Sequence, residues 1–300
     1  MLSVCIPVYN YDMRATVARL ARQAQELTVP CEIVCLDDGS DDTFKLLNKE
    51  IATHARYIEL KENVGRARIR NLLVEQARYD SLLFLDCDSL IPDGFLAGYA
   101  AHLQTMEGVV CGGRIYDAKD NDRRHRLRYR YGVECESKRA AERRLQPYRS
   151  FMTNNFMVRR NVIEAIPFDG RISRYGHEDT LFGYHLMRQD IPVVHIENPV
   201  VNGDVEENAV FLGKTQEGVR SLWEIARRME GDAAFAGQVS LLSFYAKVRR
   251  LHLAAPVRWT FSLLRRPLEK AFATGRMANM KLFAFYKLGL FATLEKKGEC

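Results

Sequence analysis

Short apolar runs alternate with segments of helical periodicity along residues 1–116. The runs that predict strands are SVCIPVY, EIVCLDD, YIELKE, SLLFLD and GVVCGGRIY. After the first run, apolar residues recur every three or four positions, as on one face of a helix: Met13, Val17, Leu20, Ala24 and Leu27. Similar helical segments separate the later runs. Because the strands read as continuous apolar runs between helices, the pattern predicts a mainly parallel sheet covered by helices on both faces.

The alternation breaks off at residue 117 and returns after residue 150. The interval is rich in Arg and Tyr and has little strand character, so we expect a mobile or helical excursion from the sheet. Regular structure returns with FMTNNFMVRRNVIEAI and RYGHEDTLFGYHLMRQD, and IPVVHIEN predicts a further strand. From about residue 205 the pattern is helical to the end, which predicts a helical C-terminal region.

The composition is that of an ordinary globular protein. Three hundred residues, of which 47% are hydrophobic, can form one large domain or a domain with an appendage. The chain has neither a basic secretory leader nor an apolar stretch long enough to span a membrane, so we expect a cytoplasmic protein. Its cysteines form no CxxC pair, and we expect reduced core residues rather than zinc ligands or disulfides. They are Cys5, Cys31, Cys35, Cys87, Cys111, Cys135 and Cys300.

Positive charge is concentrated in two segments. Lys and Arg outnumber Asp and Glu by 11 to 5 in residues 119–149 and by 12 to 3 in residues 247–300, while the whole chain carries +6. The first segment is either a lid whose arginines approach a diphosphate or a solvated excursion over packed tyrosines. The second predicts either helices that rest on an anionic membrane surface or helices that pack on the rest of the chain or form a homodimer. Its apolar residues include Phe272, Met277, Met280, Leu282, Phe283, Phe285, Tyr286, Leu288 and Phe291.

Polar residues follow three of the predicted strands at the point where each strand ends. PVYN closes the first strand, DDGS the second and DCD the fourth. In parallel sheets ligands bind outside the carboxyl ends of the strands, so we expect the three motifs to share one ligand-binding edge. Neither GxGxxG nor GxxxxGKS or GxxxxGKT occurs, so neither a dinucleotide fingerprint nor a P-loop explains this edge.

Asp86 and Asp88 form a DxD pair at the end of the fourth predicted strand. Side chains at positions i and i+2 of a strand point the same way, so the two carboxylates share one side while Cys87 faces the other. Like charges this close need compensation, and Mg²⁺ or Mn²⁺, which accepts oxygen ligands, would supply it. The alternative is a solvated turn in which the two acids only end the strand.

Asp37 and Asp38 form a second acidic strand end at the same predicted edge. Their carboxylates could accept hydrogen bonds from a nucleobase or from ribose hydroxyls. The alternative is turn chemistry from Asp37 to Ser40, with Asp41 or Asp42 capping the following helix.

An ordered set of motifs resembles the inverting glycosyltransferases of family 2, which have the GT-A fold. The set comprises PVYN at 7–10, DDGS at 37–40, NVGRARIRN at 63–71, DCD at 86–88 and GHED at 176–179. The resemblance covers residues 1 to about 215. It implies an α/β, Rossmann-like catalytic domain with a nucleotide-binding half at 1–116 and an acceptor-side half at 117–215, which includes the basic excursion at 119–149. Residues 216–300 would form the helical C-terminal region.

The resemblance also implies a nucleotide-sugar donor, expected to be a UDP-sugar, and a divalent cation, Mg²⁺ or Mn²⁺. Asp88 would bind the cation that bridges the diphosphate, and Asp86 would lie near the ribose and sugar hydroxyls. The residues that it places at the nucleotide sugar are Pro7, Tyr9, Asp37, Asp38, Asn63, Gly65, Arg68 and Asp86.

The GHED segment supplies the implied catalytic acids. By resemblance Asp179 is the base that takes the proton of the acceptor hydroxyl, and Glu178 holds the acceptor. Neighbours on a helix point about 100° apart, so only one of the two can face the anomeric carbon. The alternative is that the pair merely caps the helix that it opens.

Three asparagines are further candidates for the predicted site, and one histidine near them is not. Asn154 and Asn155 would lie on the acceptor side, although paired amides also suit turns. Many relatives have a histidine that completes the metal shell, where this chain offers Asn202. His195 lies seven residues earlier and is expected to be a satisfied strand histidine.

These features predict a metal-dependent inverting glycosyltransferase that builds a surface polysaccharide or glycolipid on a glycan or lipid-linked acceptor. A nucleic-acid-binding protein that uses the basic segments is one alternative, but the arginines fall in no known binding motif. A nucleotidyltransferase on a similar sheet is another. That class usually has a Gly-rich basic loop after the first strand, where this chain has YNYDMRAT.

Overall fold

The computed structural model describes residues 1–172 and 174–298. Its strands are β1 (Leu2–Val8), β2 (Cys31–Asp37), β3 (Arg56–Glu59), β4 (Ser81–Leu85), β5 (Ser89–Leu90), β6 (Val109–Cys111), β7 (Arg114–Ile115), β8 (Asn155–Arg159), β9 (Val193–His195) and β10 (Val200–Asn202). Seven of them form one sheet in the order β3-β2-β1-β4-β8-β6-β9, and a small sheet has the order β5-β10-β7. Strand β8 alone runs antiparallel within the large sheet. The predicted mainly parallel sheet is confirmed.

The helices that accompany the sheet are α1 (Arg14–Gln25), α2 (Asp42–Asn48), α3 (Arg66–Gln76), α4 (Phe95–Ala100), α5 (Arg126–Tyr131), α6 (Ala140–Arg144), α7 (Arg160–Ala165) and α8 (Glu178–Arg188). The C-terminal helices are α9 (Asn208–Arg228), α10 (Ala233–Gln238), α11 (Ser240–Arg250), α12 (Ala254–Ala273) and α13 (Met280–Gly298). The predicted helical C-terminal region is therefore confirmed. No helix in the described residues is both long and apolar enough to cross a membrane.

The large sheet is buried on both faces. Alternate residues of β1 show this directly, because Val4 and Ile6 belong to one hydrophobic cluster and Cys5 to the other. Helices α1 and α4 supply residues to the first cluster, and α3 and α7 supply residues to the second. Continuous apolar strands arise from this two-sided burial, as expected for parallel sheets between helices.

Contacts within the chain define two compact units. The first, the sheet unit, comprises residues 1–116, 136–173 and 181–204, and the second, the helical unit, comprises residues 117–135, 174–180 and 205–300. The predicted functional division at residues 116 and 215 stays a prediction. The basic excursion takes the helical alternative, because it contains α5, a π-helical turn at Gly132–Glu136 and α6.

The predicted strand GVVCGGRIY is wrong as a single element. The chain leaves the large sheet after β6 at Gly112 and Gly113 and enters the small sheet as β7. Gly113 has φ +93°, and a Cβ at Gly112 would lie 2.3 Å from the Asn198 carbonyl oxygen, so the break needs glycine at both positions. The carbonyls of Cys111 and Gly112 accept the backbone N–H groups of Ile196 and Asn198, and the buried Arg143 guanidinium donates to the same two oxygens at 3.1 Å and 2.9 Å.

His195 is the satisfied strand histidine that the sequence predicts. Its Nε2 lies 2.9 Å from the Pro147 carbonyl oxygen, and its Nδ1 lies 2.9 Å from Nη1 of Arg143. Burial lowers the pKa of His195 to about 4, so the ring is neutral at physiological pH. A neutral ring that donates from Nε2 and accepts at Nδ1 fits both contacts.

The described cysteines form no disulfide. Cys5, Cys35 and Cys111 are buried, as predicted, and burial raises the pKa of the Cys111 thiol to about 12. The prediction of a core position is wrong for Cys135, which is exposed because it lies in the π-helical turn after α5. Cys300 lies outside the described residues.

The C-terminal aromatic residues form a core inside the helical unit. Phe272, Phe283 and Tyr286 are almost fully buried, and the rings of Phe272 and Phe283 meet edge to face at 5.4 Å. Leu288 and Phe291 are buried as well. Five of the nine apolar residues that the sequence offered as a membrane-facing surface are therefore occupied by packing within the chain, and a lipid contact cannot rest on them.

Candidate active site

The three polar strand ends share one edge of the large sheet, as the sequence predicts. Strands β2, β1 and β4 are neighbours and run parallel, so their carboxyl ends lie side by side. Chain connections run from β1 outward through β2 and β3, then return to the other side of β1 with β4. Such a reversal of strand order opens the crevice in which α/β sheets bind ligands. The DxD motif therefore lies at the topological switch point.

Strand β1 separates from β4 before it reaches this edge. Their pairing ends at Cys5, while pairing with β2 continues to Val8. Pro7 lies in the segment that pairs with β2 alone, where a residue without a backbone N–H is tolerated. The half-buried Pro7 and Tyr9, whose surface is 52% exposed, thus border an opening rather than a closed sheet.

The carboxylates of Asp37 and Asp38 hold two loops of the site together. Asp37 accepts from the Ser40 backbone N–H and from the Tyr57 hydroxyl, both at 2.7 Å. Asp38 accepts from the backbone N–H groups of Val64 at 2.7 Å and of Gly65 at 3.1 Å. Burial raises the pKa of Asp38. The turn bond of the alternative is thus present at Asp37, whereas Asp38 binds the loop before α3 and the side chain of Asp41 makes no cap at α2.

The loop that follows β3 lies against the DDGS turn. Gly39 has φ +74°, and a Cβ there would lie 2.8 Å from the backbone nitrogen of Asn63. Gly65, with φ +87°, begins helix α3, and Asn63 is exposed. Arg68 is also exposed, and its Nε donates to the Gly170 carbonyl at 3.1 Å. The predicted donor-side residues therefore lie on the loop and first turn that Asp38 anchors.

The DxD carboxylates contact three arginines. Nη2 of Arg70 lies 2.7 Å from Oδ1 of Asp86, and Nη2 of Arg66 lies 3.7 Å from Oδ2. Nη2 of Arg114 lies 3.4 Å from Oδ2 of Asp86 and 3.3 Å from Oδ1 of Asp88. The sequence predicted that the pair needs a positive partner and offered a divalent cation for that role. The structure places protein cations beside both carboxylates.

These charges shift one another's proton affinities. Burial alone would raise the pKa of Asp86, but Arg70, Arg66 and Arg114 together lower it. Burial alone would lower the pKa of Arg114, but Asp88 and other anionic neighbours raise it. Asp86 is therefore ionised at physiological pH and Arg114 is protonated, so the edge carries fixed charges of both signs.

The three arginines are absent from the residues predicted for the site, although the spacing of Arg66 and Arg70 was a usable signal. Arg66 and Arg70 are four residues apart in α3 and so lie on the same helical face. Arg114 follows the Gly112–Gly113 pair, and its position became visible only once the break in the predicted strand was known.

The residues present fit a hard cation that takes only part of its ligands from the protein. No group of three or more His, Cys, Asp or Glu side chains that could hold a metal lies within the described residues. Asp88 offers a carboxylate whose side chain is 26% exposed, and Mg²⁺ commonly takes one or two carboxylates together with water and phosphate oxygens. The donor set suits that mode and does not form a complete protein cage.

Asn202 lies on the strand that pairs with the segment just after the DxD motif. It is paired with Ser89 across β10 and β5, and the next residue, Gly203, donates its N–H to the Asp88 carbonyl at 2.7 Å. The Asn202 Oδ1 is buried and has no hydrogen-bond partner among the described residues. This orphaned amide oxygen keeps Asn202 as a candidate ligand.

The two acceptor-side asparagines have different surroundings. Asn155 is structural, because its Oδ1 accepts from the Tyr99 hydroxyl at 2.6 Å and its Nδ2 donates to the Gly113 and Asn198 carbonyls at 2.9 Å. Asn154 has a buried Nδ2 with no hydrogen-bond partner in the described structure, and its carbonyl accepts from the Asp86 N–H at 3.1 Å. Of the pair, Asn154 is the one with an amide available to a ligand.

Within the helical unit, the GHED residues form a strained turn that begins helix α8. Gly176 and His177 have φ of +90° and +70°, and the Gly176 carbonyl accepts from the Ser221 hydroxyl at 2.8 Å. Glu178 is buried, while Asp179 is half-buried and its Oδ1 accepts from the Thr180 N–H at 2.6 Å. Both carboxylates lie in the first turn, where the helix dipole favours negative charge.

A mainly parallel sheet with charged residues at its switch point is the arrangement in which α/β proteins bind polar ligands at the strand ends. Residues 3–166 match the model of Glycosyl transferase family 2, so the chain belongs to that family. This membership makes it a glycosyltransferase and favours that class over the nucleic-acid-binding and nucleotidyltransferase alternatives.

Relatives and solved structures agree with this family. The uncharacterized glycosyltransferase YfnE of Bacillus subtilis (strain 168) is 28% identical over 280 residues, which cover 73% of this chain and 71% of that protein. The chondroitin synthase of Pasteurella multocida (strain Pm70) is 24% identical over 62% of this chain, which spans only 23% of that longer protein. The mannosyltransferase PcManGT from Pyrobaculum calidifontis, solved with GDP-Man and Mn²⁺, has a TM-score of 0.55 at 16% identity, covering 98% of this chain and 86% of that one. The predicted GT-A fold is confirmed.

The ion pair between Arg70 and Asp86 should contribute to stability in a pH-dependent way. Arg70 is almost fully buried, so Arg70→Met should lower the free energy of unfolding by about 3 kcal/mol at pH 7, because it leaves a partly buried carboxylate short of its closest cation. The native pKa of Asp86 lies below its ordinary value, so the contribution is complete above about pH 4 and is lost as pH falls through the native pKa.

Urea denaturation of wild type and Arg70→Met from pH 7 to pH 3 would measure this difference. Arg78→Met, which removes an exposed arginine 3.7 Å from Glu32, is the control and should have little effect at any pH. A constant difference between Arg70→Met and wild type across the range would contradict the pairing of Arg70 with ionised Asp86.

Proposed function

We propose that this chain transfers a sugar from a nucleotide-sugar donor, expected to be a UDP-sugar, to a glycan or lipid-linked acceptor with inversion at the anomeric carbon. Membership of family 2 supports the reaction class. The observation that carries the site is the DxD pair at the switch point of the sheet, beside Arg66, Arg70 and Arg114. Cations beside carboxylates suit a ligand that contains both hydroxyls and phosphates.

In this proposal the strand-end loops bind the nucleotide. Pro7 and Tyr9 border the opening beside β1 and contact the base, and the loop anchored by Asp37 and Asp38 holds base and ribose. Because both carboxylates accept bonds within the protein, they act mainly by fixing the loops, with their remaining lone pairs left for the ligand. Asn63, Gly65 and Arg68 lie on the neighbouring loop and line the donor side. Asp86 contacts the ribose and sugar hydroxyls.

Asp88 would hold the divalent cation, Mg²⁺ or Mn²⁺, with Asn202 as a second candidate ligand. When bound, the cation stabilises as a Lewis acid the negative charge that develops on the departing diphosphate. Arg114 contacts Asp88 in the same place, so this guanidinium competes with a cation for the carboxylate and can itself contact phosphate oxygens.

Asp179 acts as the base. It takes the proton of the acceptor hydroxyl while the acceptor oxygen attacks the anomeric carbon from the face opposite the nucleotide. The bond from the anomeric carbon to the diphosphate oxygen breaks, and its electron pair leaves with the nucleoside diphosphate. Glu178 holds the acceptor, and Asn154 and Asn155 belong to the acceptor side, Asn155 through its hold on the surrounding backbone.

The acceptor class is proposed from relatives. The name chondroitin synthase of a partial relative supports polysaccharide synthesis, and a glycolipid or a lipid-linked glycan is the related alternative. In the proposal the reaction takes place in the cytoplasm, where the enzyme, either free in solution or peripherally bound to the membrane, would meet nucleotide sugars. Neither a nucleic-acid partner nor a homodimer is part of it.

Removal of the proposed metal ligand should weaken nucleotide binding. Isothermal calorimetry should detect binding of UDP to the wild-type protein with Mn²⁺, and Asp88→Ala should lower that affinity by about tenfold or more while leaving metal-free affinity nearly unchanged. Glu75→Ala, which removes an exposed carboxylate in α3, is the control. Failure of the wild-type protein to bind any nucleoside diphosphate with Mn²⁺ would sink the proposed function.

Loss of the proposed base should separate chemistry from binding. Asp179→Asn keeps the size of the side chain and can still accept the Thr180 N–H bond, so it should abolish sugar transfer while changing nucleotide affinity by no more than a few fold. Donor turnover, measured across a panel of nucleotide sugars, is the readout. The assignment of the base would be wrong if Asp179→Asn retained most of the wild-type turnover.

The competition between Arg114 and a cation can be tested without substrate. Arg114→Gln should tighten Mn²⁺ binding to the nucleotide-free protein by roughly tenfold, the effect of removing one charge interaction of about 1.4 kcal/mol. Loss of the free Mn²⁺ signal in electron paramagnetic resonance measures it. Arg114→Lys keeps the charge and should bind Mn²⁺ like wild type. Equal affinities in all three proteins would show that Arg114 does not compete.

A further inference from the structure

Helix α12 carries an exposed apolar stripe opposite its buried face. Phe261, Leu268 and Phe272 face the core of the helical unit. Trp259 and Leu263 are one turn apart and lie about 200° away from Phe261 on the helix. They are 69% and 60% exposed, respectively. Core packing thus explains one side of α12 and leaves a tryptophan and a leucine on the other without an apolar neighbour to bury them.

The turn between α11 and α12 carries two further exposed leucines. Leu251 and Leu253 are both exposed, and they lie immediately before the helix that carries Trp259. Leu253 precedes Trp259 by six residues, which is about 9 Å along a helix axis. We call Leu251, Leu253, Trp259 and Leu263 the α12 stripe. Scattered exposed leucines are ordinary, but an exposed tryptophan one turn from an exposed leucine, with two more exposed leucines just before the helix, marks an interaction surface.

The surroundings of the α12 stripe are strongly basic. Residues 240–282 contain nine Lys or Arg and one acid, Glu269, which pairs with Arg265 at 2.9 Å. The other basic residues nearby are exposed or half-buried, and no ion pair involves them in the described part of the chain. They are Lys247, Arg249, Arg250, Arg258, Arg266 and Lys270. The stripe therefore lies in a field of uncompensated positive charge.

This combination selects one kind of partner. A second copy of the chain would bring the same positive charge against the stripe, and like charges oppose that contact. Nucleic acid would match the charge, but one tryptophan and three leucines do not form a stacking platform for bases. An anionic bilayer matches both features, because tryptophan and leucine enter the interface while lysine and arginine remain at the headgroups.

We propose that the α12 stripe and its basic surroundings dock this chain on the surface of an anionic membrane. Contact is peripheral: the stripe enters the interface from one side of α12, and the opposite side stays in the protein core. The surface lies wholly within the helical unit, and its binding does not depend on the proposed sugar transfer. Docking would bring the protein to acceptors that are themselves anchored in lipid.

Vesicle binding by the full chain tests the proposal. Co-sedimentation should show binding to vesicles of phosphatidylglycerol and phosphatidylcholine, little binding to phosphatidylcholine alone, and release at high salt. The double variant Trp259→Ser/Leu263→Ser should bind the anionic vesicles about tenfold more weakly or worse, because it removes the apolar part of the contact. Leu46→Ser and Leu145→Ser, which alter exposed leucines of the sheet unit, should bind like wild type.

Tryptophan fluorescence gives an independent readout. The chain has two tryptophans, Trp223 and Trp259. Anionic vesicles should shift the wild-type emission to the blue, and Trp259→Phe should keep vesicle binding while losing the shift. Far-UV circular dichroism and UDP binding of each variant show whether it is folded, so loss of docking is distinguishable from loss of the donor site.

Three results would overturn the proposal. Equal binding of wild type and the folded double variant would show that the stripe is not the contact. A dimer in light scattering that the double variant dissociates would assign the stripe to a second copy. Binding to a random oligonucleotide that the double variant loses, with no binding to anionic vesicles, would assign it to nucleic acid.

Discussion

Compensation of two adjacent carboxylates at the end of β4 is the constraint on which the rest of the site depends. Asp86 and Asp88 lie where β4 ends, and partial burial imposes a desolvation penalty on their charges unless cations pair with them. Those cations come from two distant parts of the chain, Arg70 from α3 and Arg114 from β7. Helix α3 and the small sheet therefore both contribute to the electrostatic environment of the acids that follow β4.

Arg114 reaches the acids only because the chain changes sheets at Gly112 and Gly113. At the break the carbonyls of Cys111, Gly112 and Gly113 accept backbone N–H groups from the segment that follows β9. Two buried side chains add a second donor to each: Arg143 at Cys111 and Gly112, and Asn155 at Gly113. These hydrogen bonds go to the protein backbone and give neither side chain a role in binding a nucleotide. Both side chains stabilise the local backbone, so Arg143, one basic residue of the excursion, has a structural role that neither the lid nor the solvated alternative foresaw.

Sequence patterns predicted the parts of this site that depend on local order. Three parallel neighbouring strands end at the same edge of the sheet regardless of which side chains follow them. The convergence of PVYN, DDGS and DCD could therefore be predicted from the order of strands and helices along the chain. The partners of those side chains did not follow, because Asp86 meets residues 16 and 28 positions away. The strand GVVCGGRIY was mispredicted for a related reason, since an apolar run shows burial but not the sheet that buries it. Likewise Phe283 and Trp259 both read as apolar helix residues, and only packing separated core from surface.

The balance of arginine and aspartate charges at the carboxyl end of β4 explains why binding of a diphosphate there would need a divalent cation. Three guanidinium groups against two carboxylates leave a single positive charge when no ligand is present. The ion pairs stabilise this arrangement without a ligand. Because most of the arginine charge is neutralised by the acids, little is left to attract a diphosphate. A divalent cation at Asp88 would release Arg114 from the carboxylate and add its own charge, so two positive groups would face the phosphates in place of one shared guanidinium. In this view the ion pair between Arg114 and Asp88 holds a positive group in reserve. Binding of a cation at Asp88 would free that guanidinium to contact the phosphates of a nucleotide sugar.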